Sequence, residues 1–342
     1  MEINSIYRLT CVDLNYEGIG VCKIDGFPIF VPNLLIDEVA DVKITKLNKN
    51  YGNGIIINRL TNSDYRIKPV CSKFGICGGC DLMHMSYESQ LNFKLKMVNE
   101  TLKRIGHLDY EIKEIIGANN PLNYRNKVQI PYKYNGKKNI CGFYKKKSHD
   151  FVEFDNCYIC NKEISDLSRF IKNLFNENKI NCYNEDKDNG TLRNVLIRNT
   201  YDNRYMVVLI SKTKDIPYLK EIVSKLIKRY EFIDSVILNY NPKKNNTILG
   251  DEYQVLYGND YLIENILGLN FKMSHKAFFQ VNHEQTINLY NKILEFSNVN
   301  SNSTVLDVYC GVGTISLAFS KYAKKVIGIE VVEEAISNAK EN

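Results

Sequence analysis

The stretch STVLDVYCGVGTISLAF followed by KKVIGIEVV constrains the fold more than any other part of this 342-residue chain. An apolar run from Val305 to Val308 enters the turn Gly311-Val312-Gly313. A helical pattern follows, a second apolar run ends at Glu330, and EEAISNAKEN opens another helix. The order β-α-β-α predicts the start of a doubly wound, Rossmann-like α/β domain. The glycines let the backbone pass close to a ligand, and the first turn of the next helix offers free N–H groups. Glu330 stands 19 residues beyond Gly311, where an acid accepts hydrogen bonds from ribose hydroxyls. The pattern alone does not separate one ribose-bearing cofactor from another.

The amino-terminal end reads differently. Residues 1 to about 60 are short strands: Val42 and Ile44 alternate with Lys43 and Thr45, and Asp25-Gly26 is a hairpin signal between GVCKI and FPIFVP. This predicts a small OB-like β-barrel, a common oligonucleotide-binding scaffold, with Lys43, Lys46, Lys49 and Tyr51 as candidate contacts. Ser86 is a plausible N-cap for a helix whose Leu91, Leu95, Val98, Leu102 and Ile105 recur at steps of four and three, predicting one buried face, with Gly106 at the stop. From 123 to about 275 the chain reads as a mixed α+β domain. KVQIPYKY and ICGFYKKK flank Asn135-Gly136, LRNVLIRNT and YMVVLIS read as paired strands, IPYLKEIVSKLIKRY as an amphipathic helix and IDSVILNY as a strand. NHEQTINLYNKILEF is a further helix, with Asn282 or Ser274 as its cap. The expected division is 1–60, 61–280 and 281–342.

Lysine and arginine exceed aspartate and glutamate by 45 to 39, a net charge of +6, which hints at a polyanionic partner. The segment KYNGKKNICGFYKKKSH interleaves Lys133, Lys137, Lys138, Lys145, Lys146 and Lys147 with Tyr134, Phe143 and Tyr144, a pairing suited to phosphates and unpaired bases. No signal peptide opens the chain and no long apolar run spans a membrane, so a cytoplasmic location is expected. Nothing calls for an obligate protein partner. Ten cysteines in a reducing compartment point to buried thiols and a metal cluster rather than disulfides. Cys77–Cys80 and Cys157–Cys160 are two C-x-x-C pairs, a spacing that also suits zinc.

Several motifs together resemble one family. VLDVYCGVGTISLA, VIGIEVVEEAISNA and the upstream FFQVN resemble motifs of the 5-methyluridine RNA methyltransferases. CSKFGICGGCDLMHMSYESQLNFK resembles the cysteine segment of the iron–sulfur members, and EGIGVCKIDGFPIFVPNLLIDEVADVKI resembles a TRAM domain, an OB-like RNA-binding module. The resemblance covers the whole chain in family order. It implies a class I methyltransferase using S-adenosylmethionine, acting on RNA, with 23S rRNA favoured by the joint presence of TRAM and cluster segments.

The same resemblance implies residue roles. Gln280, Tyr309, Gly311 and Glu330 are expected to bind the cofactor, with Gly313 shaping the turn. Cys71, Cys77, Cys80 and Cys157 are expected to hold a [4Fe–4S] cluster, zinc remaining the alternative. The family's nucleophilic cysteine and its base are expected beyond Asn342. No catalytic residue is therefore assigned, and the chain is expected to stop inside its α/β domain, roughly a hundred residues short, and to be inactive alone. Cys310, Cys11, Cys22, Cys141 and Cys182 are expected to pack as small hydrophobes. Two other readings stay open: an RNA-binding remnant without catalysis, and an oxidoreductase pairing a nucleotide site with an iron–sulfur centre.

Overall fold

In the computed structural model, which describes every residue but Asn246, the first strands follow the predicted pattern. They are β1 (Ile6–Thr10), β2 (Asp13–Leu14), β3 (Gly20–Ile24), β4 (Phe27–Val31), β5 (Val39–Leu47) and β6 (Gly52–Arg59), joined in the order β1-β5-β6-β4-β3-β2. Asp25 and Gly26 both take left-handed φ, 50° and 85°, in a two-residue turn pairing Ile24 with Phe27. That geometry matches the twist of the flanking strands and favours this dipeptide. Alternate residues of β5, Ala40, Val42 and Ile44, point into a core with Ile29, Val31, Leu34 and Leu35. Cys11 and Cys22 lie fully buried in it, as expected.

Residues 1–119 and 144–152 form one compact unit; residues 120–143 and 153–342 form the other. In the first unit one carboxylate organises the exit from the barrel. Glu38 is fully buried, accepts from the Leu35 and Ser63 backbone N–H groups, and is forked by the Arg66 guanidinium. Burial alone would raise its pKa; the Arg66 and backbone hydrogen bonds outweigh that and hold it below the usual range.

Helix α1 (Tyr87–Arg104) is capped by Ser86, whose hydroxyl accepts from Ser89 N. Its expected buried face is corrected by the structure: no residue of the helix is buried, and Val98 and Ile105 are 40% and 76% exposed. Two faces share the apolar load instead. Leu91 and Tyr87 lie against Gly117 and Ala118 of the following segment, while Phe93 and Met97 line an open cleft of about 430 Å³ with Leu14, Leu35 and Met85. The left-handed turn after the helix falls at His107 rather than at Gly106.

The second unit begins with β7 (Lys127–Tyr134) and β8 (Asn139–Tyr144) up to Phe143; after β9 (Phe151–Glu153), whose first two residues belong to the first unit, come α2 (Lys162–Glu177), β10 (Leu192–Asn199), β11 (Tyr205–Ser211), α3 (Leu219–Arg229), β12 (Ile233–Tyr240) and β13 (Glu252–Gly258). The sheet of the second unit runs β13-β12-β11-β10-β7-β8, with only β11 and β12 parallel among its described pairs. Its central strands are covered on both faces, which is why their sequences read as unbroken apolar runs. Val195, Ile197, Val207 and Leu209 pack with α2 and α3. The alternate residues Leu196, Met206, Val208 and Ile210 face a second layer.

That second layer contains β14 (Tyr261–Ile266), β15 (Leu269–Ser274) and α4 (His283–Ser297), whose cap is Asn282. The chain then runs β16 (Thr304–Val308), α5 (Thr314–Ser320), β17 (Lys325–Ile329) and α6 (Glu333–Glu341). β16 and β17 pair in parallel, Val308 opposite Ile329, as the β-α-β order predicts. Among the described residues no helix is long and apolar enough to cross a membrane.

Candidate functional site

β16 ends at Val308, and the chain reverses over the next five residues. Tyr309 takes a left-handed φ of 68° and its side chain is 80% exposed. A non-glycine residue in that region is strained by about 1 kcal/mol, and such strain collects at functional sites. The backbone holds it there: the N–H groups of Tyr309 and Cys310 both donate to Ile329 O, at 2.7 and 3.0 Å. Gly311 and Gly313 are also left-handed, with φ of 57° and 83°, a conformation that glycine adopts without the strain Tyr309 bears.

Glu330 closes the turn from the end of β17. Its Oε2 accepts from Gly311 N at 3.0 Å, and its Oε1 accepts from Val331 N at 2.7 Å and Val332 N at 2.9 Å. The Val332, Val331 and Gly311 N–H groups together hold this half-buried residue's carboxyl below the usual range. It is therefore anionic at neutral pH, and Oε2 retains an acceptor position for a ligand hydroxyl.

Under the turn, Asp307 accepts from Ser316 Oγ at 2.6 Å, tying β16 to α5. Cys310 sits against Gly328, where an added Cβ would lie 2.8 Å from its sulfur. Burial, with Asp307 and Glu330 nearby, raises the Cys310 thiol above its ordinary pKa. It is a packing residue, not an activated nucleophile.

Gln280 lies on the loop between β15 and α4. It lines a cavity of about 40 Å³ with Glu264, His283, Tyr290 and Thr314. That volume suits about one water, so the cavity is a seam between this loop and the first residue of α5 rather than the cofactor pocket itself. Tyr290 Oη and Thr314 Oγ1 lie 2.8 Å apart and close the seam. Glu264, buried, stands 3.3 Å from His283 Nδ1, and the His283 ring stacks on Tyr201 at 4.4 Å. The composition of the chain gave no sign of Glu264, His283 or Tyr290. Only the fold brings them to Gln280.

The cysteines behave less simply. Cys71, Cys77 and Cys80 are half-buried, outside any disulfide, and belong to the first unit. Their loop docks on the chain beyond β8: Gly78 N donates to Tyr144 O at 3.0 Å, and a Cβ at Gly78 would strike Lys146 N. Cys157 belongs to the second unit, beside Cys160, which is in the core. Among the described residues no group of three or more His, Cys, Asp or Glu side chains is placed to hold a metal ion. Cys141 and Cys182 are buried among apolar side chains, as expected.

The lysine-rich hairpin is less basic than its sequence suggests. Lys145 pairs with Asp150, Lys146 with Asp81 and Glu17, Lys147 with Glu17, and Lys133 with Asp186. Acidic partners, one within the same loop and the others from distant parts of the sequence, pair with four of the six lysines.

Fold and site together define a class. A small β-barrel precedes an α/β methyltransferase of class I type, with a glycine turn and a terminal acid on its second strand. The comparisons with known proteins agree with that reading. A TRAM domain model matches residues 2–57, and a DNA methylase model matches residues 97–341. An uncharacterized RNA methyltransferase of Oceanobacillus iheyensis is 42% identical over 99% of this chain and 74% of its own length. A second, from Clostridium tetani, is 41% identical with the same coverage. The crystal structure of the Pyrococcus abyssi tRNA (uracil-54, C5)-methyltransferase with S-adenosyl-L-homocysteine superposes with a TM-score of 0.76 at 24% identity, covering 98% of this chain and 75% of that one.

The chain belongs to the TRAM-containing RNA methyltransferases. The DNA methylase match describes the catalytic fold of residues 97–341. The whole-chain relatives are RNA enzymes, and they carry the assignment because they span the barrel as well. Nothing in these matches bears out the expectation that the chain is inactive or breaks off within its catalytic fold.

Proposed function

We propose that this chain binds S-adenosylmethionine and directs its methyl group to carbon 5 of a uridine in RNA, with 23S rRNA as the substrate. The observation that carries the cofactor reading is the turn itself: an exposed Tyr309 in strained backbone, two left-handed glycines, and an anionic Glu330 across them. Glu330 accepts from the ribose hydroxyls, Gly311 leaves room for the nucleoside, Tyr309 offers a ring to the adenine, and Gln280 holds the donor. The uracil-C5 reading rests on the FFQVN and VLDVYCGVG resemblance, and it agrees with the activity named for the Pyrococcus abyssi enzyme. The 23S rRNA reading rests on the resemblance alone.

Uracil C5 is a poor nucleophile, so the reaction needs a thiolate to add at C6 and a base to remove the C5 proton. Cys310, with its raised pKa and its place against Gly328, is unsuited to the first task. The residues described here bind and orient the donor. The test is nucleoside mapping of ribosomal and transfer RNA from a strain lacking the gene. Loss of one 5-methyluridine from 23S rRNA is expected. Loss from tRNA would move the substrate, and unchanged RNA would overturn the reading.

The [4Fe–4S] cluster on Cys71, Cys77, Cys80 and Cys157 is a separate proposal. Three of these thiols lie in the first unit and Cys157 in the second, and no step of the reaction is derived through the cluster. Anaerobically prepared protein with about four irons and matching labile sulfide per chain would support the cluster. About one zinc per chain would support the alternative, and neither metal would leave the thiols as packing residues.

A further inference from the structure

Arg198 heads the fully buried side chains by size. It lies on β10, on the face shared with Leu196, and among the described residues it makes no ion pair. Its guanidinium is spent on backbone: Nη1 donates to Ser274 O and Nη2 to Ala277 O, each at 2.6 Å. Ser274 Oγ closes the same turn by accepting from Ala277 N at 3.2 Å. Gln280 follows three residues later.

The other end of the loop is tied to the neighbouring strand's entry. Asn126 N donates to Val281 O at 2.9 Å, and Asn126 Nδ2 donates to Gln280 O at 3.3 Å. Asn199, adjacent to Arg198, donates through its backbone to Asn126 O at 2.9 Å. The two anchors therefore come from paired strands, β10 and β7.

A buried guanidinium is a costly way to fill space. Neutral carbonyls repay its lost hydration poorly, and an apolar side chain of similar volume would serve stability as well or better. Burial accordingly lowers its pKa to about 10, with Glu264 acting in the opposite direction. What arginine supplies, and neither lysine nor methionine does, is a rigid planar fork able to fix two carbonyls at once.

We propose that Arg198 is a positioning residue of the donor site: its fork sets the Ser274–Ala277 turn and thereby places Gln280 against the cofactor. The inference rests on the cofactor reading of Gln280 given above.

A double-mutant cycle tests it, with S-adenosylhomocysteine binding to the full chain measured by calorimetry. Arg198→Lys is expected to weaken binding about tenfold, and in a Gln280→Ala background to weaken it by less than about twofold. Equal losses in both backgrounds would mean a general structural role and would overturn the proposal. So would a loss in Arg198→Lys with none in Gln280→Ala. Should Arg198→Lys fail to fold, Ser274→Ala removes the partly exposed hydroxyl that closes the same turn; full affinity in that variant would show that the turn does not set binding. An unmutated chain that binds no S-adenosylhomocysteine would instead sink the cofactor reading, and this inference with it.

Discussion

Glu38 is the residue on which the first unit's packing is most exposed to test. A fully buried carboxylate persists there because Arg66, Leu35 N and Ser63 N satisfy it. Removing the charge strands the Arg66 guanidinium, so Glu38→Ala should cost about 3–5 kcal/mol in urea unfolding. Its pKa is lowered on folding, so its contribution is present above the unfolded carboxyl pKa and lost as pH falls through the folded value. His84 and His275 act earlier. Both are buried with no hydrogen-bond partner on either ring nitrogen, and burial holds each down to about 4. Being depressed, they favour the folded state above the unfolded histidine pKa and oppose it as pH drops from about 6.5 toward 4. Thermal scans should therefore show Tm falling already between about pH 6.5 and 5, before the carboxylates titrate. A flat Tm across that window would contradict the burial of both rings. Glu330 and Gly311 were readable from spacing because the turn and the acid lie on one supersecondary unit. Arg198, Glu264 and His283 were not, since their partners lie across a sheet and no local period announces them.

At the scale of elements, the sequence was clearest where one residue decides a conformation. Asp25-Gly26, Asn135-Gly136, Ser86 and Asn282 all do what their chemistry suggests. The helix at 162–177 went unassigned although its signal was present. Ile164, Leu167, Ile171, Leu174 and Phe175 fall on one helical face and all are buried, with Asn161 accepting from Glu163 N as the cap. At α1 the apolar period predicts a burial that the structure does not show. A period shows which side chains share a face; it does not show how deeply that face is covered. The two helices give a paired prediction for chemical denaturation. Leu167→Ala should destabilise by about 2–5 kcal/mol. Leu95→Ala, on a helix with no buried residue, should cost about 1 kcal/mol or less. Equal costs would mean that α1 is packed more tightly than this structure shows.

At the scale of the whole molecule, composition suggested a nucleic-acid partner and family membership supplies one, but the charges are arranged differently from expectation. Lys133, Lys145, Lys146 and Lys147 are paired with acids, which leaves Lys137 and Lys138 at the hairpin tip as the freer cations. Replacing that tip pair should lower the salt slope of RNA binding by about two, more than replacing Lys146 and Lys147 does; the reverse order would show that the ion pairs open on RNA.

Tyr309, Gly311, Glu330 and Gln280 form the proposed donor site. Its most direct test is calorimetric titration of the chain with S-adenosylhomocysteine and, separately, with NAD, repeated on Glu330→Ala. The account predicts one S-adenosylhomocysteine site, weakened about tenfold or more by the substitution, and no NAD binding. NAD binding, or S-adenosylhomocysteine binding indifferent to Glu330, would contradict it.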